Sequence, residues 1–175
     1  MHPTVIYQAG RTVIGRIVGQ PSGPVTIAPD FNDGLGYAMV DDPLRTWKRG
    51  DGSRRTIVEA SCVVLYAGGE AERLITGKQE VPDGADCTKA TALIKLVGVK
   101  GAQLVGDDIW EEYERRLRHR ARKMVNIHRS TIERVALCLS ERNTLTAKEI
   151  DALLPTKTSI TLRKDKRWTR FLNRI

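Results

Sequence analysis

The fold of this chain is organised around residues 4–19, which have the sequence TVIYQAGRTVIGRIVG. Apolar residues recur there at spacings of three and four: Val5, Ile6, Ala9, Val13, Ile14, Ile17 and Val18. This spacing predicts an α-helix with one buried face. Thr4 is predicted to cap its N-terminus, and Gly19 followed by Pro21 predicts its end.

Three polar residues share one side of this predicted helix. Tyr7 and Arg11 are four residues apart, so they project from the same face, and Gln8 lies beside them. In the H-E-x-x-H motif two metal ligands and a base have this spacing, but all three residue types differ here. The spacing alone therefore carries no metal chemistry.

Length and composition indicate a globular protein with one domain, or one domain with an appendage. The chain has 175 residues, of which 41% are hydrophobic, enough to bury a core. Its formal net charge is +8, which suits contact with nucleic acid, anionic lipid or an acidic protein. Residues 156–175 hold seven Lys and Arg against one Asp, so most of the positive charge lies in this basic C-terminal tail.

Cysteine usage and hydropathy indicate a reduced, cytoplasmic setting. Cys62, Cys87 and Cys138 are odd in number and form no CxxC pair, which argues against disulfides and against a cysteine zinc site. Cys62 and Cys138 lie in apolar helical patterns, so we expect them to be buried and inert. No apolar run reaches the roughly 18 residues that cross a bilayer, and no signal peptide is expected. We therefore expect no membrane contact.

The pattern between the first helix and residue 77 predicts one β-hairpin and one central helix. Two short strands are expected at residues 24–30 and 34–40, joined by a turn at 31–34. A helix buried nearly all round is expected over 56–67, with the pair Gly68-Gly69 ending it.

The second half of the chain is predicted to be helical. Helices are expected at about residues 86–97 and 108–129. Thr146 and Glu149 form a capping box that opens a final helix, and Pro155 closes it. The fold class predicted is thus mainly α with a small β-hairpin, an α+β arrangement.

Six short motifs follow one another along the chain: YQAGRTVI (7–14), VTIAP (25–29), GLGY (34–37), GGEAERLITG (68–77), GADCTKAT (84–91), and NTL with EIDALL (143–154). Their order resembles the peptidase domain of the FtsH-type, AAA-associated zinc metallopeptidases. Members of that family carry HEAGHAVV, VTI-P, G-LGY, a GG-AAE-L-FG segment one residue longer, GASNDL--AT and ETL...EI-ELL. The resemblance implies that residues 1–155 form a zinc-metallopeptidase-like helical domain and 156–175 a basic tail or helix.

The resemblance also implies chemistry that this chain has lost. Family members hold zinc with two His and an Asp, while a Glu deprotonates the metal-bound water. Here Tyr7 and Arg11 stand at the His positions and Gln8 at the Glu position, so only Asp86 matches. A guanidinium has no lone pair for a metal, and an amide is no general base. We therefore predict no catalytic residue, no bound metal and no cofactor.

The three histidines of the chain do not restore the site. His2 is at the terminus, while His119 and His128 are nine residues apart and therefore out of phase on their helix. We assign none of them as a metal ligand.

Arg11 and Asp86 together suggest what replaced the metal. The chain keeps an acid opposite a lost His and gains a base, so one hypothesis is that Arg11 occupies the metal position and pairs with Asp86. The other is that Asp86 is only a helix N-cap and Arg11 points to solvent.

Three functions remain open at this stage. The first is a non-catalytic pseudopeptidase that binds a protein partner or associates with itself. The second is a zinc metalloendopeptidase whose proteolysis uses an atypical site. The third is nucleic-acid binding by the basic tail, where Trp168 and Phe171 interleave with six cationic residues: Arg163, Lys164, Lys166, Arg167, Arg170 and Arg174.

The basic tail has a second interpretation. Its apolar residues recur at helical spacing, so it can equally form an amphipathic helix that packs on the body or on another subunit. ATP is not expected as a ligand of this chain. The chain carries no G-x-x-x-x-G-K-[ST] loop, so no ATP-binding motif is present on it.

Overall fold

A computed structural model describes residues 1–20, 22–28, 37–40, 53–81, 84–97 and 108–155. Within these ranges the protein is mainly helical with a small antiparallel hairpin, which confirms the predicted fold class. The elements in chain order are α1 (Pro3–Ile17), β1 (Ser22–Thr26), β2 (Tyr37–Val40), α2 (Arg54–Thr76), α3 (Gly84–Val97), α4 (Asp108–Ile127), α5 (Arg129–Arg142), β3 (Thr144–Leu145) and α6 (Ala147–Leu153).

The first helix begins earlier than its sequence suggests. Pro3 is its first residue, and a proline is well placed there because this position needs no N–H. Thr4, predicted as the cap, instead lies inside α1 and is buried. The end is as predicted: Gly19 has φ of 73°, its N–H bonds Arg16 O, and the Gln20 N–H bonds Gly15 O. This left-handed C-terminal arrangement satisfies carbonyls that the helix leaves open.

The central helix, α2, runs for 23 residues and is not broken at its glycine pair. The prediction that Gly68-Gly69 ends it is wrong; the helix continues to Thr76 and ends at Gly77, with φ of 81°. The two glycines instead allow neighbouring side chains to pack closely against α2. A Cβ on Gly68 would lie 2.8 Å from the ring of Tyr7, and one on Gly69 would lie 3.0 Å from the side chain of Gln79.

The core lies between α1 and α2 and is completed by α4 and α5. Its largest fully buried side chains include Tyr66, Ile6, Ile14, Leu117, Met124, Ile132 and Leu139. Cys62 is fully buried, and burial raises the pKa of its thiol to about 12, as an inert cysteine requires. Cys138 is only half-buried, so the expectation that it is buried is wrong for it.

The sheet has a third strand that the sequence did not indicate. β1 lies in the centre, with β2 antiparallel on one side and β3 antiparallel on the other. Val25 pairs with Ala38 of β2 and with Leu145 of β3. The third strand has only two residues, too few for an alternating pattern. The predicted turn at 31–34 lies outside the described residues.

A capping box opens α6, as predicted. The Thr146 hydroxyl accepts from the Glu149 N–H at 3.4 Å, and the Glu149 carboxylate accepts from the Thr146 N–H at 2.7 Å.

None of the helices that the structure describes is long and apolar enough to cross a bilayer. The predicted tail, residues 156–175, lies outside the described residues, and so do its six cationic residues.

A partly buried carboxylate joins α2 to α4. Glu59 accepts hydrogen bonds from Tyr113, from Arg55 at 3.0 Å and from Arg120 at 3.0 Å. Burial raises the pKa of Glu59, but the hydrogen bonds of Tyr113 and Arg55 and the charge of Arg120 outweigh it and hold the pKa below its ordinary value of 4.5. The ionised form of Glu59 therefore stabilises the folded state.

We expect Gly10→Ala to weaken the contact between α1 and α2. A Cβ at this position would lie 2.6 Å from Ala71 Cβ and 2.9 Å from the Ala67 carbonyl oxygen, which belongs to the backbone. The free energy of unfolding in urea should fall by about 1–3 kcal/mol. Gly84→Ala is the control, since no atom lies within 4 Å of its Cβ position. Equal stability of the two variants would contradict this packing.

We expect the effect of Glu59→Gln on stability to depend on pH. Because the folded pKa of Glu59 is depressed, its contribution is present above the unfolded pKa and is lost as pH falls through the folded pKa. The substitution should destabilise by about 1–3 kcal/mol near neutral pH, and the difference should shrink as pH falls below the ordinary pKa of 4.5. Urea unfolding at each pH measures it, with exposed Glu141→Gln as control. A pH-independent difference would refute the role of the ionised carboxylate.

Candidate functional site

The structure brings Tyr7 and Arg11 into contact with Asp86 inside the protein, and Gln8 is buried next to Tyr7 in α1. Tyr7, Gln8 and Arg11 lie on α1, and Asp86 is the third residue of α3. Tyr7, Gln8 and Asp86 are buried, and the Arg11 side chain is only 14% exposed. Residues 79 positions apart in the chain thus form one buried cluster.

Both partners from α1 converge on one oxygen of Asp86. The Tyr7 Oη donates a hydrogen bond to Asp86 Oδ2 at 2.6 Å, and Arg11 Nη1 lies 3.2 Å from the same oxygen. The hypothesised pair of Arg11 and Asp86 is therefore present. The alternative, with Asp86 as an N-cap and Arg11 in solvent, is wrong, because Asp86 lies within the first turn of α3 and Arg11 is mostly buried.

Small residues on α2 make room for this cluster. The ring of Tyr7 lies against Gly68, where any side chain would collide with it. One turn further along α1, Gly10 contacts Ala67 and Ala71. These contacts hold the Tyr7 and Arg11 face of α1 at a set distance from α3, which also packs on α2.

Glu72 positions the chain that leads to Asp86, and the sequence did not identify it. Its carboxylate is fully buried and accepts from the Glu80 N–H at 2.5 Å and from the Val81 N–H at 3.2 Å. It thereby joins α2 to the segment just before α3. No local pattern indicates this role, because Glu70 and Arg73 lie in the same segment and the two N–H groups that bind Glu72 follow eight and nine residues later.

The chemistry of the cluster is that of an ion pair with a hydrogen-bonding phenol. Asp86 is the sole carboxylate among the four site positions, and Arg11 presents only donors to it. Across the part of the chain that the structure describes, no group of three or more His, Cys, Asp or Glu is placed to hold a metal. His119 lies exposed on α4, and His128 lies in the turn between α4 and α5, where burial lowers its pKa.

Comparison with known protein families and with curated proteins gives no match to this chain. The resemblance to the FtsH-type peptidase domain therefore rests on the motifs quoted above.

We expect Arg11→Ala to lower the free energy of unfolding much more than the loss of an exposed ion pair does. It would leave the buried Asp86 carboxylate with Tyr7 as its remaining site partner, at a cost of about 3–5 kcal/mol in the free energy of unfolding. The control is Arg129→Ala, which removes an exposed pair with Glu133 and should cost less than about 1 kcal/mol. Urea unfolding compares them.

A double-mutant cycle isolates the pair itself. Arg11→Ala combined with Asp86→Ala should cost less than the sum of the single substitutions, by about 1–3 kcal/mol. Additive effects would show that the two groups do not interact energetically, despite their 3.2 Å separation.

Proposed function

We propose that this protein is a non-catalytic peptidase-like module that acts by binding other proteins or further copies of itself. It would be a homologue of the FtsH-type peptidase domain that lost its zinc site while keeping the scaffold. The observation that supports this most is the arrangement at Asp86: the one position that matches a family ligand is held by Arg11 and Tyr7.

The charge at this position supports the proposal further. In the family a dication ties the site helix to the acid on a later helix, and here a guanidinium makes a comparable tie between α1 and α3. A guanidinium repels a metal dication and offers it no lone pair. A metal at Asp86 would have to displace Arg11 from a mostly buried position and leave that cation without its acid.

The alternative, an atypical zinc metallopeptidase, would require a different arrangement of the site residues. Tyr7 and Asp86 would both have to bind the metal, and Arg11 would have to move away. Gln8 would also have to serve as the base, for which an amide lacks the basicity. A scaffold without hydrolysis needs none of these changes.

Metal content and proteolysis test the loss of catalysis. We expect protein purified without added zinc to hold fewer than about 0.1 zinc ions per chain by mass spectrometry and to leave casein intact. The combined substitution Tyr7→His, Gln8→Glu and Arg11→His restores the family motif and should bind about one zinc per chain. Adding Asp86→Ala to it should abolish that binding.

Two outcomes would contradict the proposal. Stoichiometric zinc in the unmodified protein, lost with casein cleavage in Asp86→Ala, would establish the metallopeptidase. Failure of the restored motif to bind zinc in a folded variant would show that the scaffold does not have the geometry of the peptidase domain.

Binding needs its own measurement. We expect either concentration-dependent association in sedimentation velocity, or binding of fluorescently labelled casein without its cleavage. A protein that stays monomeric up to about 100 μM and binds no casein at that concentration would contradict a protein-binding role, since transient interfaces still bind in this range.

A further inference from the structure

A run of cationic residues lies in the middle of α4, far from the Asp86 cluster in sequence. Residues 115–123 have the sequence RRLRHRARK, in which six of nine residues are Lys or Arg and none is acidic. Short runs rich in Lys and Arg are typical of nucleic-acid contacts, but on a helix they are also typical of a solvated face. The structure distinguishes these cases by showing which cationic side chains of α4 contact the rest of the protein.

Two of the arginines are largely covered by their contacts with α2. Arg118 stacks over the ring of Tyr66, with its guanidinium carbon 4.4 Å from the ring centroid. Arg120 is mostly buried and donates to Glu59 at 3.0 Å. These cations tie α4 to α2 and are not available to a large ligand.

The remaining cations lie on the outer side of α4, where Arg115 pairs with Glu112 at 2.8 Å and Arg122 pairs with Glu70 at 2.9 Å while their side chains stay exposed to solvent. We define the basic stripe as Arg115, Arg116, Arg122 and Lys123, all of which are exposed, with the side chains of Arg115 and Arg122 at 73% and 63%. The stripe spans about 12 Å of helix. Each strand of B-DNA advances about 3.4 Å per phosphate, so this length faces roughly three or four nucleotides.

The stripe borders a groove between α2 and α4 with a volume of about 500 Å³. Four arginines, one histidine and three glutamates line this groove. Two of the glutamates already accept from arginine: Glu70 from Arg122 at 2.9 Å and Glu114 from Arg118 at 2.7 Å. All four arginines that line the groove are ion-paired with a glutamate of α2 or α4. The excess of positive charge therefore comes from Arg116 and Lys123 on the rim.

We propose that the basic stripe binds the sugar-phosphate backbone of a nucleic acid, without sequence specificity. Guanidinium groups match phosphate oxygens in two-point contacts, and three of the four stripe residues are arginines. Between Arg115 and Lys123 the exposed positions of α4 carry no apolar side chain. A protein partner normally needs an apolar centre in its interface, so an acidic protein fits this surface less well than a phosphate backbone.

Fluorescence anisotropy of the full chain with labelled oligonucleotides of about 20 nucleotides, single-stranded and duplex, tests this proposal. The test variant is R115Q/R116Q/K123Q, which leaves Arg122 in place because it pairs with the buried Glu70. The control is K89Q/K95Q/K148Q, which removes three exposed cations from other helices and changes the net charge equally.

We expect the test variant to bind at least about tenfold more weakly at about 100 mM salt, with a salt slope lower by about 2–3. The control should change affinity less than about threefold. A further variant, R167Q/R170Q/R174Q, measures the contribution of the tail. Loss of affinity in the test variant supports the proposal whatever the tail variant does, and comparing the two oligonucleotides shows which strand form is preferred.

Three results would overturn the proposal. The first is no binding by the unmodified chain at about 50 mM salt, where nonspecific contacts are strong. The second is a test variant that behaves like the control while the tail variant loses binding. The third is polyglutamate binding as tightly as the oligonucleotide at equal salt, which would identify an acidic protein as the partner.

Discussion

The close approach of α1 to α2 is the constraint on which the rest of the structure depends. Gly10 lies where a single Cβ would come within 2.6 Å of Ala71, and Gly68 lies directly under the ring of Tyr7. Backbones this close leave no room for adjustment, because side chains of a close-packed interior have few voids into which to move. The orientation of α1 is thereby set, and with it the direction in which Tyr7 and Arg11 reach towards α3.

Three buried or partly buried carboxylates then connect the helices, and each has a different set of hydrogen-bond partners. Asp86 accepts from a phenol and faces a guanidinium, Glu72 accepts from two backbone N–H groups, and Glu59 is held by a phenol and two guanidiniums. Burying a carboxylate is costly unless it is paired or hydrogen-bonded. These three groups therefore specify the arrangement of α2, α3 and α4, because other packings would leave a charge without partners.

The cost of burying a carboxylate also bears on the proposed loss of catalysis at Asp86. Under that proposal, loss of the metal would require either a replacement cation or loss of the acid, because a carboxylate is costly to bury without a counter-charge. Arg11 supplies that cation, and Tyr7 adds a hydrogen bond. On the proposed function, the protein keeps the peptidase-like scaffold and acts through its surfaces. The cations of α4 are a strong concentration of positive charge among the residues that the structure describes.

The amino-acid sequence alone determined the features that rest on neighbouring residues. The apolar stripe of α1, its end at Gly19, the capping box of Thr146 and the hairpin all depend on local spacing and backbone preference. The motif order also led to the pairing of Arg11 with Asp86 as one of two hypotheses, and the structure decided between them.

Tertiary contacts decided the rest, because the deciding partners lie far away in the chain. Gly68-Gly69 has the composition of a helix end, yet it lies mid-helix since Tyr7 and Gln79 fill the space above it. The two-residue strand β3 forms because β1 offers it an edge. Neither the role of Glu72 nor the division of the α4 arginines between core and surface has a local signal, since both follow from what each side chain meets after folding.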